Sequence, residues 1–152
     1  HSVTIPNNVK YIGCGAFSGC SNLKSFTING SLQSIGHSSF KGCKGLTAFT
    51  FPDSLASIDR NAFEGCTGLI SITFPGTVKS VQQNTFLNCT GLQSVTIANG
   101  VLSVGRYAFY GCSELKSVSV PETVYNIDQY AFEGCNIKYF AVPKKFLSFF
   151  NR

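Results

Sequence analysis

The residues best equipped for chemistry in this chain are its cysteines, and they fall on a strict period. Cys20, Cys43, Cys66, Cys89, Cys112 and Cys135 are each 23 residues apart, and each follows a phenylalanine by three positions: Phe17, Phe40, Phe63, Phe86, Phe109 and Phe132. One cysteine per repeat leaves no Cys-x-x-Cys pair, so no metal-ligand signature is present and no metal or cofactor is expected. Stacked equivalents would point their thiols in parallel, which is poor geometry for a disulfide. A buried thiol behaves as a small hydrophobe, and that suits a repeated core position. Cys14 stands outside the column. Its equivalents are His37, Arg60, Gln83, Arg106 and Gln129, a set that reads as exposed, so Cys14 is either a reactive thiol or an ordinary surface cysteine.

Other catalytic chemistry has little to work with. The two histidines are His1 and His37, and no carboxylate shares the repeat of His37. Glu64 and Glu133 occupy equivalent positions, but three repeats apart they would be separated by ~14 Å at strand spacing. A glycosidase pair needs about 5–9.5 Å. No phosphate-binding glycine loop or nucleophile elbow is present. The expectation is a non-enzymatic protein.

The elements that carry these residues follow from the period. Self-similarity at 20–50 residues signals a solenoid whose units cannot bury a core alone. In each unit a leucine (Leu23, Leu46, Leu69, Leu92, Leu115) precedes an apolar-x-apolar pair such as Phe26/Ile28, Phe49/Phe51 or Ile72/Phe74. That alternation, rich in aromatic and β-branched residues, predicts a short strand with one buried face. Seven such segments are expected, from Ser2–Ile5 to 139–142. Pro6, Pro52, Pro75, Pro121 and Pro143 close most of them, as residues without a ladder donor should. A second apolar pair, for example Val78/Val81, suits a tight turn or brief extended segment. The Ala-Phe-x-Gly-Cys block reads as one helical turn ended by a left-handed glycine, with Asn88 replacing glycine once.

Composition agrees with a stack. Apolar residues make up 43% and charged residues 12% of the chain, against a typical ~25% charged. The net charge of +5 is thinly spread: Lys10, Lys24, Lys41 and Lys44 precede the first carboxylate, Asp53. No run of Lys or Arg marks a nucleic-acid or membrane surface, and no stretch reaches the ~18 apolar residues of a membrane helix. The chain opens inside a repeat without a signal peptide, so it is expected to be part of a longer protein. The solenoid spans residues 1–143. Residues 144–152 break the pattern, and Phe146, Phe149 and Phe150 are expected to cap the last coil rather than to bind membrane.

The pattern Leu-x-x-Val-x-Ile-Pro followed by Val-x-x-Ile-Gly-x-x-Ala-Phe-x-x-Cys resembles the BspA-like leucine-rich repeat family. Leu115, Val118, Val120 and Pro121 carry the first part; Val124, Ile127, Ala131, Phe132 and Cys135 carry the second. Asp128 stands where the family prefers glycine. The resemblance implies an α/β repeat solenoid, a right-handed horseshoe of mostly short parallel strands with short helical turns. It also implies a cell-surface or secreted protein with an adhesive role toward host cells, matrix proteins or other microbes. It transfers no ligand-binding residue.

Function is therefore sought on the outward side of the strands. Two hydroxyl columns lie there: Ser2, Ser25, Ala48, Ser71, Ser94, Ser117, and Thr4, Thr27, Thr50, Thr73, Thr96, Ser119. In a leucine-rich horseshoe this sheet lines the concave side, the surface solenoids bind with. The same residues are also good solvent-facing strand formers, and both readings stay open. A neighbouring column, Lys24, Thr47, Ile70, Gln93 and Lys116, varies within the rigid repeat. The candidate ligand-binding residues are Lys24, Thr27, Thr50, Ile70, Thr73, Gln93, Thr96 and Lys116, with a protein or glycoprotein as partner and no nucleic acid. The alternatives are a structural spacer that displays another domain and, more remotely, an ice-binding Ser/Thr array. The sequons at Asn29 and Asn88 would matter only in a eukaryotic secretory pathway.

Overall fold

The computed structural model describes residues 1–151. Each repeat forms one coil, and most coils pass through a long strand, a two-residue strand and a phenylalanine turn. Numbered in chain order, the long strands are β1 (Ser2–Ile5), β3 (Ser25–Ile28), β6 (Ser71–Phe74), β8 (Ser94–Ile97), β10 (Ser117–Ser119) and β12 (Tyr139–Ala141). The two-residue strands are β2 (Tyr11–Ile12), β4 (Ser34–Ile35), β5 (Ser57–Ile58), β7 (Ser80–Val81), β9 (Ser103–Val104) and β11 (Asn126–Ile127). All pairing is parallel and in repeat register: Thr73 faces Thr96 and Thr96 faces Ser119. The molecule is a parallel β-solenoid with little helix.

The phenylalanine block corrects one expectation. It is a hydrogen-bonded turn, not a helical one, because its amides alternate in their commitments. Phe63 N–H donates to Thr85 in the next coil (2.9 Å) and Gly65 N–H to Leu87 (2.8 Å). Between them Glu64 N–H returns to Asn61 and Cys66 N–H to Phe63, both at 3.2 Å. With every second amide given to a neighbour, the i→i−4 bonds of an α-helix cannot form. The left-handed position is as expected: Gly65 has φ 71° and Asn88 has φ 58°.

Inside the turns the six phenylalanines stack face to face. Centroid distances from Phe17 to Phe132 run 5.4, 5.2, 5.4, 5.2 and 5.1 Å, with ring planes within 10° of parallel. Such contacts add about 0.5–1.5 kcal/mol each beyond the area they bury. The leucine column and the inward strand residues of the middle coils close the core around this ladder.

The third coil departs from the pattern. Its segment 48–51 was expected to be a strand, but it makes no backbone hydrogen bond among the described residues. The main sheet divides into β1–β3 and β6–β8–β10–β12, and the two-residue sheet also breaks, between β5 and β7. The interruption coincides with a concentration of side-chain bulk. Only the third coil has phenylalanine at both inward strand positions, Phe49 and Phe51, and the fourth repeats it at Phe74. Phe51 and Phe74 meet tilted at 53° with centroids 6.2 Å apart, and Phe49 sits 5.6 Å from Phe26. Both contacts lie at the segment where the ladder is interrupted. The third and fourth coils remain joined through the turn ladder and one bond from Ile70 N–H to the Thr47 carbonyl, 3.2 Å.

After the last coil a 3-10 turn (Lys144–Phe146) leads into the short helix α1 (Leu147–Phe150). Phe150 lies 5.3 Å from Phe132 and 5.6 Å from Phe140. No described helix is long and apolar enough to cross a membrane.

Candidate binding face

All eight candidate residues are exposed on the strand side of the coils, but the structure sorts them into groups. Thr73 and Thr96 lie side by side in the four-stranded sheet, continued by Ser119. Ile70, Gln93 and Lys116 form a second row beside them, fixed by the backbone. Gln93 N–H donates to the Ile70 carbonyl at 2.7 Å and Lys116 N–H to the Gln93 carbonyl at 3.0 Å. Lys24 and Thr27 belong to the separate two-stranded sheet, where Thr27 pairs with Thr4. Thr50 sits between the groups on the segment without ladder bonds.

Three features of the surface were missed. Tyr139, 70% exposed, ends the serine column opposite Ser117. The final coil is one residue short, so counting by 23 does not reach it. The second is a groove of about 430 Å³ where the sheet is interrupted, with Thr50, Phe51, Asp53, Ser71 and Thr73 among its lining residues. Its signal was present in the doubled phenylalanines. The third lies outside the sheet: the Arg106 guanidinium stacks 4.9 Å from the Tyr107 ring and 5.4 Å from Tyr130. Tyr107 takes φ 59° in a column where Asn61 and Asn84 do the same, a conformation common for asparagine and costly for an aromatic.

The thiols have a role that position alone did not reveal. Cys43, Cys66, Cys89, Cys112 and Cys135 each donate S–H to the phenylalanine carbonyl of the preceding coil, at 3.0–3.2 Å. The same carbonyl accepts an in-coil amide, as Phe63 does from Cys66 N–H. The sulfur thus uses the second lone pair of a carbonyl buried between coils. Burial pushes the Cys89 thiol up to about 12. It also pushes Cys43 up to about 11, helped by the neighbouring Cys20. The expectation of a wholly buried column needs correction at its ends: Cys20 is exposed and Cys135 half-buried, because neither is covered by coils on both sides. Cys14 is exposed.

No group of three or more His, Cys, Asp or Glu side chains gathers within reach of a metal ion among the described residues. His37 Nδ1 lies 3.3 Å from the Ser38 hydroxyl, without a carboxylate to complete a proton relay.

Comparison with known proteins agrees with this architecture. The fold superposes on a leucine-rich repeat protein of T. pallidum with a TM-score of 0.87 and 33% identity, over 92% of this chain and 68% of that one. A leucine-rich repeat protein of Eubacterium ventriosum gives 0.69 and 28%, over 90% and 43%. A leucine rich cell surface protein of Faecalibacterium prausnitzii shares the fold at 0.55 and 20%, over 99% and 61%. No curated protein matches the chain in sequence. The model of the BspA type leucine rich repeat region, in six copies, matches residues 1–99 and 33–152. With the repeat register, the phenylalanine ladder and this match in agreement, the chain belongs to the BspA-type leucine-rich repeat family, whose repeats make protein-interaction or surface-protein modules.

Proposed function

We propose that the chain is a non-enzymatic adhesion module that binds a protein or glycoprotein of a host cell or its matrix through the outward face of the strands. The observation that carries this is the pair of rows Thr73–Thr96–Ser119 and Ile70–Gln93–Lys116, exposed and fixed in register by the backbone. A face whose scaffold is rigid needs little ordering on binding, so its side chains lose less entropy to a ligand. A ligand laid across the rows meets hydroxyls in one and an apolar, an amide and a cationic side chain in the other. A cell-surface or secreted setting accords with the surface protein among its structural neighbours. The hydroxyl columns break at the third coil and end in Tyr139 and Ala141, an irregularity that disfavours the ice-binding alternative.

The test is binding of the protein to a panel of extracellular-matrix proteins and host cells. The double variant Thr73→Glu/Thr96→Glu is expected to lose binding by tenfold or more, since buried charge at an interface is costly. Lys79→Glu, away from the strand face, is expected to change it by less than twofold. Binding that survives the double variant removes this face as the site. A protein that binds no member of the panel is a spacer.

A further inference from the structure

Asp53 occupies an unusual place. Its equivalents in the adjoining repeats are Gly30 and Gly76, which carry no side chain. Its carboxylate is exposed and has no hydrogen bond or ion pair among the described residues. It is among the residues lining the groove that includes Phe51, beside the Phe51–Phe74 contact where the sheet is interrupted. Phe51 and Pro75 give the lining its apolar part, with Phe49 almost wholly buried behind them, and Thr50 and Thr73 give it hydroxyls.

We infer that this groove is the specificity pocket of the binding face and takes an arginine or lysine side chain of the protein partner. The inference rests on the strand-face reading given above and adds the chemistry of the ligand. A basic side chain is amphipathic: its methylene stem covers apolar surface while its charged head seeks an anion. A groove lined by apolar residues together with one unpaired carboxylate is the complement of that chemistry. The half-buried Phe51 ring in the lining adds attraction for a cation, most for guanidinium. The positive net charge of the chain does not oppose this at short range. No lysine or arginine lines the groove, and at physiological salt the Debye length is about 8 Å.

The test is a titration of the ¹⁵N-labelled protein, followed by amide chemical shifts, with four capped amino acids: the Nα-acetyl methylamides of arginine, lysine, norleucine and glutamate. Arginine and lysine are expected to give saturable shifts confined to residues 48–53 and 71–76. Norleucine, which keeps the stem and lacks the charge, is expected to bind more weakly, by up to the roughly fivefold that an exposed ion pair contributes. Glutamate is expected to bind weakest. In Asp53→Asn, which keeps the shape of an exposed residue, arginine and lysine should fall to the norleucine level. Equal affinities for all four probes, or arginine binding unchanged in Asp53→Asn, overturns the inference. A macromolecular ligand lost on Thr73→Glu/Thr96→Glu but unaffected by Asp53→Asn keeps the wider face and refutes the pocket alone.

Discussion

Replacing Cys89 by alanine removes one buried sulfur and one S–H donor from the centre of the stack. Cys89 is fully buried, and its thiol donates to the Phe63 carbonyl at 3.1 Å. Losing one heavy atom of methylene size forfeits about 0.8 kcal/mol of transfer free energy. A residual void of roughly 25 Å³ adds about 0.6 kcal/mol at ~24 cal/mol per Å³. The thiol is a weak donor, so its hydrogen bond is placed at the low end, about 0.5 kcal/mol. Together these give a loss of about 1.5–2 kcal/mol. Urea unfolding under reducing conditions should then show a midpoint lower by roughly 0.8 M for a slope near 2 kcal/mol/M. Cys20→Ala is the internal control. It changes the same column at an exposed thiol that donates to no carbonyl, so its effect should stay within about 0.5 kcal/mol. Cys89→Ser discriminates the two roles. If shape dominates, serine costs at least as much as alanine, since its shorter C–O bond leaves a buried hydroxyl poorly paired. Equal costs for Cys20→Ala and Cys89→Ala would refute the argument, because the cost would then arise within a coil and not between coils.

Three further outcomes follow from the same geometry. A thiol reagent added to the native protein should modify Cys14 and Cys20 rapidly, Cys135 more slowly, and the four buried thiols only on unfolding; fast reaction of more than three removes the buried ladder. Stability should fall at alkaline pH: the Cys43 and Cys89 thiols are raised to about 11 and about 12 in the fold, so above about pH 9 the unfolded chain holds fewer protons than the native one. The contribution is intact below pH 9 and is lost as pH rises toward 11–12, which denaturation at stepped pH would show, and a flat profile from pH 8 to 11 contradicts it. Phe51→Ile restores the side chain found at Ile28 and Ile97 in the same column. It should let the third coil close onto its neighbours and slow hydrogen exchange of the 48–51 amides by tenfold or more; unchanged exchange would show that bulk at Phe51 does not hold the ladder open.

The sequence by itself determined everything that depends on the period. A side chain recurring every 23 residues must meet its own copy in the next coil, so the leucine, phenylalanine and cysteine columns were legible as core. The outward alternation that placed Thr73 and Thr96 side by side was equally so. Asn88 could be assigned its left-handed turn because a single position carries glycine in every other copy. What only the tertiary structure decided lies where neighbouring coils differ from one another. The sheet is interrupted at the third coil, where Phe49, Phe51 and Phe74 meet their neighbours across two interfaces, a juxtaposition no single repeat contains. Asp53 became a candidate anchor only through its place among the residues lining the groove, and the cysteines became donors only when a carbonyl from the preceding coil arrived at 3.0–3.2 Å. The turn is no helix for the same reason, since half its amides are claimed by the next coil. Within a coil the residue pattern governs; between coils, distance does, and distance is set by the packing of all the coils together.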